Sequence, residues 1–208
     1  LEADILFPLK PNENASFYYN TNTVSASLFG VHAVHNNENY TTWATSPADS
    51  ANFQVYAVRD EQTSDSVRFV LTGTAGTCVP WSMASDLYEE VYNNTYWNLA
   101  VRIKPLNYPQ AGQVLGAPAS ADINNYTIEL HGVQLDAGVV RNEFNLAATV
   151  EGAPGGFVTG SKRAFIGAHR TNFTGSVLEA SDVKVNACRY WYDYLEDDAL
   201  VGHAYDTQ

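Results

Sequence analysis

The side chains best placed to do chemistry in this sequence are aromatic. Tyr40 and Trp43 sit in the stretch Asn39-Tyr40-Thr41-Thr42-Trp43-Ala44, Trp81 follows Pro80, and Tyr108 lies between Pro105 and Pro109. Polar and proline neighbours put all four in loops. An exposed ring there can stack on the apolar face of a ligand while fixed polar groups orient it. The competing role for Trp43 and Trp81 is to plug the ends of a β-sandwich. Trp97 and Trp191 fall in alternating runs and are expected in the core.

Ionisable groups offer less. Glu89-Glu90 and Glu196-Asp197-Asp198 are adjacent in sequence, so neighbouring carboxylates diverge and do not form a working pair. The histidines (His32, His35, His131, His169, His203) show no metal-ligand spacing. His32 and His35, three apart in an expected strand, fall on opposite faces. No G-x-S-x-G elbow and no Gly-rich phosphate loop is present.

The elements that must position these residues are strands. Phe53, Val55 and Ala57 alternate with Gln54, Tyr56 and Val58. After the polar turn Asp60 to Asp65, Val67, Phe69 and Leu71 alternate again. Two such runs around a short loop predict an antiparallel hairpin. Further strands are expected at about 24–34, 97–104, 126–135, 143–150, 163–168 and 182–191. Pro105 to Ser120 and Glu151 to Gly160 are too rich in Pro and Gly to extend a central strand and read as surface loops. One helix is expected near 196–204, with Glu196, Asp197 and Asp198 in its first turn and His203 near its end, as the helix dipole favours. A second, short helix at 86–91 is an ambiguous possibility.

Composition agrees with an all-β fold. The 208 residues are 45% hydrophobic and only 16% charged, which suits a single two-sheet domain over 1–208 with polar turns. The net charge of −12 comes with no basic run, which argues against nucleic acid and against anionic membrane surfaces as partners. No stretch approaches the roughly 18 apolar residues of a membrane span. The abrupt start at Leu1-Glu2-Ala3 and stop at Asp206-Thr207-Gln208 suggest a module of a longer chain. Cys78 and Cys188 read more readily as two independent thiols than as a bridge. The N-x-Ser/Thr triplets at Asn14, Asn39, Asn93, Asn125 and Asn172 indicate glycosylation only weakly, since Asn, Ser and Thr are abundant.

The C-terminal stretch carries a resemblance. Arg163-Ala164-Phe165-Ile166-Gly167-Ala168, then Phe173-Thr174-Gly175-Ser176-Val177, then Ser181-Asp182-Val183-Lys184-Val185 and Trp191 through His203 resemble the end of laminin-G-like domains of the concanavalin A-like superfamily. Ala3 to Leu9 looks like their first strand, which pairs near the last. Asn94 to Val101 is similar to their mid-domain Trp strand. Tyr126 to Gly138 resembles their hairpin, although Gly132 interrupts the alternation and Asp136-Ala137-Gly138 comes late. Some stretches are also similar to large structural proteins of marine phages.

The resemblance implies a two-sheet antiparallel jelly-roll sandwich with a short C-terminal helix. It also implies a shortlist of functions. First is a noncatalytic, lectin-like module that binds a glycan or polysaccharide through Tyr40, Trp43, Trp81 and Tyr108, next to other domains of a parent protein, outside the cell or on a virion surface. Family members hold Ca²⁺ at the sandwich rim, which nominates Asp182 and Asp136 as ligands. Second is a virion or appendage domain that contacts subunits and binds no sugar. Third is a divergent polysaccharide hydrolase or lyase. The E-x-D-x-x-E signature of laminarinase-type members and the R-x-E-x-R and Q-[IV]-H signatures of jelly-roll alginate lyases are missing, which leaves this alternative last.

Overall fold

The computed structural model describes residues 1–9, 24–33, 53–73, 82–106, 125–150, 162–167, 169–170, 177–179 and 181–206. Twelve strands and one helix appear among them. They are β1 (Glu2–Phe7), β2 (Ser25–Ala33), β3 (Phe53–Arg59), β4 (Val67–Gly73), β5 (Ser82–Ala84), β6 (Thr95–Pro105), β7 (Tyr126–Asp136), β8 (Val139–Val150), β9 (Lys162–Ile166), β10 (His169–Arg170), β11 (Val177–Glu179), β12 (Lys184–Arg189) and α1 (Asp197–Tyr205). Two five-stranded antiparallel sheets form a sandwich, one ordered β12-β1-β6-β7-β8 and the other β5-β4-β3-β2-β9, with β10-β11 as a separate pair. We call the first of these the front sheet and the second the back sheet.

The expected hairpin is present, with β3 and β4 in register from Phe53↔Gly73 to Arg59↔Val67. The opening strand β1 pairs with the last strand β12 on one side and with β6 on the other. Alternation explains the interior. Ala3, Ile5 and Phe7 of β1, Trp97, Leu99 and Val101 of β6, and Val55, Ala57, Phe69 and Leu71 of the back sheet fill the space between the sheets. Trp97 lies at the centre of this core, its ring 4.7 Å from that of Phe69 and 5.2 Å from that of Tyr88. Tertiary burial of such rings stabilises each by several kcal/mol, on the order of 3–5 for Phe or Trp relative to Ala.

Gly132, which breaks the alternation of β7, has a packing reason. It pairs with Phe144 of β8, and a Cβ there would run into the Phe144 ring and the Leu99 side chain. The Phe144 ring instead covers the glycine and stacks on Phe69 at 5.6 Å. The late Asp136-Ala137-Gly138 sequence is the β7–β8 turn itself. Ala137 and Gly138 both have positive φ (49° and 74°), as a two-residue hairpin of the mirror-image type requires.

Two expectations fail. Residues 86–91 are not helical: Tyr88 bridges Val67, and Glu90 has a φ of 57°, outside any right-handed helix. The last strand ends at Arg189 instead of running to residue 191, so Trp191 leaves the sheet and is 41% exposed, not in the core. The C-terminal helix forms as expected. Leu200 and Ala204 are its buried positions, and Ala204 with Val201 packs on Val133 and Leu135 of β7.

Candidate functional site

Because β12 stops at Arg189, the chain turns across the outer face of the front sheet before entering α1, carrying Tyr190, Trp191, Tyr192, Asp193 and Tyr194 with it. What holds this crossing segment is a polar face that burial alone makes unusual. Glu2 and Asp4 of β1, Asn98 and Arg102 of β6, and Glu129 and His131 of β7 point outward from the core, yet all are buried. Burying charge without partners is costly, so each is paired.

Two groups of contacts result. In the first, Glu2 Oε1 accepts from Asn98 Nδ2 at 2.7 Å and Arg189 Nη1 at 3.2 Å. Its Oε2 accepts from Trp191 Nε1 at 2.8 Å and lies 3.1 Å from His203 Nδ1. Asn98 Nδ2 also donates to Asp4 Oδ1 at 2.7 Å, and Arg189 Nη1 to Asp4 Oδ2 at 2.7 Å. Burial pushes the Asp4 carboxyl above its usual range, against the opposing pull of Asn98 and Arg189. In the second group, Arg102 Nη1 donates to the Leu195 carbonyl at 2.8 Å and lies 2.6 Å from Asp197 Oδ1, while its Nη2 lies 2.8 Å from Glu129 Oε2. Tyr194 donates its hydroxyl proton to Glu129 Oε2 at 2.6 Å and accepts from Lys104 Nζ at 3.0 Å.

These contacts pin both ends of the crossing segment and leave its middle outside. Tyr192 is 99% exposed and Tyr190 half-exposed, their ring centroids 5.3 Å apart and edge to face. The Trp191 ring stacks on His203 at 5.2 Å. All three residues border a cavity of about 300 Å³. Its walls include Val31 and Phe53 of the back sheet, Ile103 and Pro105 of β6, Tyr126 and Leu195; Glu2, Arg102 and Asp193 are its charged lining side chains. The arrangement suits stacking and apolar contact. For proton transfer it offers little, because the enclosed carboxylates are already hydrogen-bonded to one another's partners.

Tyr40, Trp43, Trp81 and Tyr108, the aromatics expected to stack a ligand, lie outside the described residues, as does Cys78. Cys188 is a free, half-buried thiol whose pKa is raised by burial.

The two carboxylates nominated for Ca²⁺ both have cationic side-chain partners. Asp182 is partly buried, forms an ion pair with Arg59 through Oδ2, and accepts the Tyr92 hydroxyl at 2.7 Å through Oδ1. The Arg59 guanidinium also sits 3.8 Å over the Tyr92 ring. Asp136 is exposed on the β7–β8 turn and contacts Arg141 at 3.3 Å, and Arg141 reaches Glu90 at 3.1 Å. Calcium takes six to eight oxygens, roughly, with no competing cation. No group of three or more His, Cys, Asp or Glu among the described residues is arranged to hold a metal ion.

The residues missed from the sequence are Tyr190, Trp191 and Tyr192. Their signal was the run Tyr190-Trp191-Tyr192-Asp193-Tyr194, in which the first three positions are consecutive aromatics. A strand sends successive side chains to opposite faces, so such a run cannot be wholly buried on one side. No known protein family, curated protein or solved structure matches this chain.

Proposed function

We propose that this sandwich is a noncatalytic, lectin-like module that binds carbohydrate at the Tyr190–Tyr192 edge and so attaches a larger surface or virion protein to a glycan. The observation that carries the reading is the exposed aromatic run at the mouth of a cavity, held outward by the buried network beneath it. Sugar rings present apolar faces that stack on such rings, and nearby polar groups give orientation. The state of the carboxylates supports a noncatalytic role. Glu2 and Asp4 share one face of β1 and are enclosed beside Arg189 and Asn98, not set across an open groove roughly 5 to 9 Å apart as glycoside hydrolysis uses.

The test is a broad glycan array probed with the folded chain and with Tyr192→Ala. Tyr192 is nearly fully exposed, so its loss should leave the melting temperature unchanged. Selective binding by the parent chain and its loss in the variant are the expected results. A blank array from folded protein rejects the reading. Self-association that disappears in Tyr192→Ala would then assign the edge to subunit contacts.

A further inference from the structure

The chemistry of the cavity narrows the ligand class. We infer that, on the carbohydrate-binding reading above, the cavity takes a neutral sugar with an apolar edge, a terminal 6-deoxyhexose whose C5 methyl group enters between Ile103, Pro105, Phe53 and Tyr126 while its ring lies against Tyr190 and Tyr192. Three observations support this.

Size is the first. A cavity of about 300 Å³ is at the small end of small-molecule sites, which run from about 300 to 1,000 Å³, so it holds one pyranose residue instead of a chain segment.

Charge is the second. Arg102 is the one basic side chain among the described lining residues, and its side chain is only 4% exposed. Its Nη1 is committed to Asp197 and the Leu195 carbonyl, its Nη2 faces Glu129 at 2.8 Å, and its Nε, which has no hydrogen-bond partner, is buried away from solvent. A uronate or sialate carboxylate approaching it would have to displace those partners. The exposed charge at the mouth is Asp193, which repels an anionic sugar. Glu2 is saturated by Asn98, Arg189, Trp191 and His203 and has no acceptor capacity left to recognise a hydroxyl deep in the cavity.

Polarity of the walls is the third. Val31, Phe53, Ile103 and Pro105, all with apolar side chains, are grouped among its lining residues, and the apolar lining exceeds the polar. A hydroxymethyl group inserted there would lose its hydration with no partner in exchange, whereas a methyl gains by leaving water. An apolar pocket discriminates against an added hydroxyl by up to about a hundredfold. The 6-deoxy sugars differ from their parents in that one hydroxyl.

The experiment titrates the full 208-residue chain with methyl α-L-fucoside and methyl α-L-rhamnoside, against their 6-hydroxylated counterparts, methyl α-L-galactoside and methyl α-L-mannoside. The methyl β-glycoside of glucuronic acid, with its carboxylate free, serves as the anionic probe, and binding is followed by NMR titration. At least about tenfold tighter binding of a 6-deoxy sugar over its 6-hydroxy parent, with no glucuronate binding, is expected. Ile103→Thr keeps a β-branched strand residue while placing a hydroxyl in the cavity wall. It should erase the preference and retain sugar binding, whereas Tyr192→Ala should weaken both sugars alike. Equal or tighter binding of a 6-hydroxy sugar, or preference for glucuronate, overturns this inference and leaves the carbohydrate reading standing. No response to any sugar here or on the array removes both.

Discussion

The two faces of the front sheet obey different rules. Its inner face is apolar and interchangeable in kind: Ile5, Phe7, Trp97, Leu99, Ile128 and Leu130 meet the back sheet as carbon against carbon. Its outer face is equally dry at Glu2, Asp4, Asn98, Arg102, Glu129 and His131, but each group there has specific partners. The inner face supplies most of the burial that makes the chain fold. The outer face positions one crossing segment, because hydrogen bonds with fixed directions specify where Trp191, Tyr194 and Leu195 must sit. Packing confers stability here and polar pairing confers placement.

The largest effect should come from the inner face. Trp97→Ala removes the centre of the aromatic cluster and should cost about 3–5 kcal/mol in denaturant unfolding, with no selective effect on the crossing segment. On the outer face, Asp4 and Glu2 offer the sharper contrast. Glu2→Leu leaves Arg189 and Asn98 without one acceptor and should cost about 3 kcal/mol, while Glu2→Leu combined with Arg189→Met should recover much of that loss. If the double variant is no better than the single, the face behaves as ordinary packing and the contrast breaks.

Asp182→Ala removes the carboxylate paired with the buried Arg59 and should cost up to a similar amount, about 3 kcal/mol. The wild-type melting temperature should stay the same with and without a calcium chelator. A chelator-dependent drop that vanishes in Asp182→Ala would restore the calcium reading.

Smaller effects are expected in the pH dependence of stability, with opposite signs at two residues of the outer face. The Asp4 pKa is raised by burial, so the folded state holds that proton more tightly than the unfolded chain. Its contribution is therefore largest below the ordinary carboxyl range and is lost as pH rises through the elevated value. Burial lowers the His131 pKa below 6.5, with the Glu143 hydrogen bond opposing. Its contribution is full above 6.5 and is lost as pH falls through the depressed value. Asp4→Asn and His131→Gln should each flatten the corresponding part of the stability–pH curve measured by urea unfolding. The smallest stability change, within about 0.5 kcal/mol, is expected for Tyr192→Ala, which removes a nearly fully exposed ring.

Much of the fold was legible in the residues. Alternation located β3, β4, β6 and β7 nearly to the residue, since a half-buried strand writes its period of two directly into side-chain type. The acidic first turn located α1. The candidate site was legible only in its composition. Glu2 and Asp4 carry no local mark of burial, and Tyr190 and Trp191 read as a continuation of the last strand. The reason is the same for both: α1 and the segment before it fold back over the outer face and bury it.

The sequence by itself therefore determined the all-β sandwich, the β3–β4 hairpin and the terminal helix, because those follow from local periodicity, turn chemistry and helix-end charge. The tertiary structure alone decided which polar residues become dry, that the last strand ends at Arg189, and that three consecutive aromatics stand at a cavity mouth. Those outcomes depend on partners up to 201 positions apart in the chain, as between Glu2 and His203. A contact of that separation leaves no local pattern, so its physics is expressed only once the sheet and the helix have closed on each other.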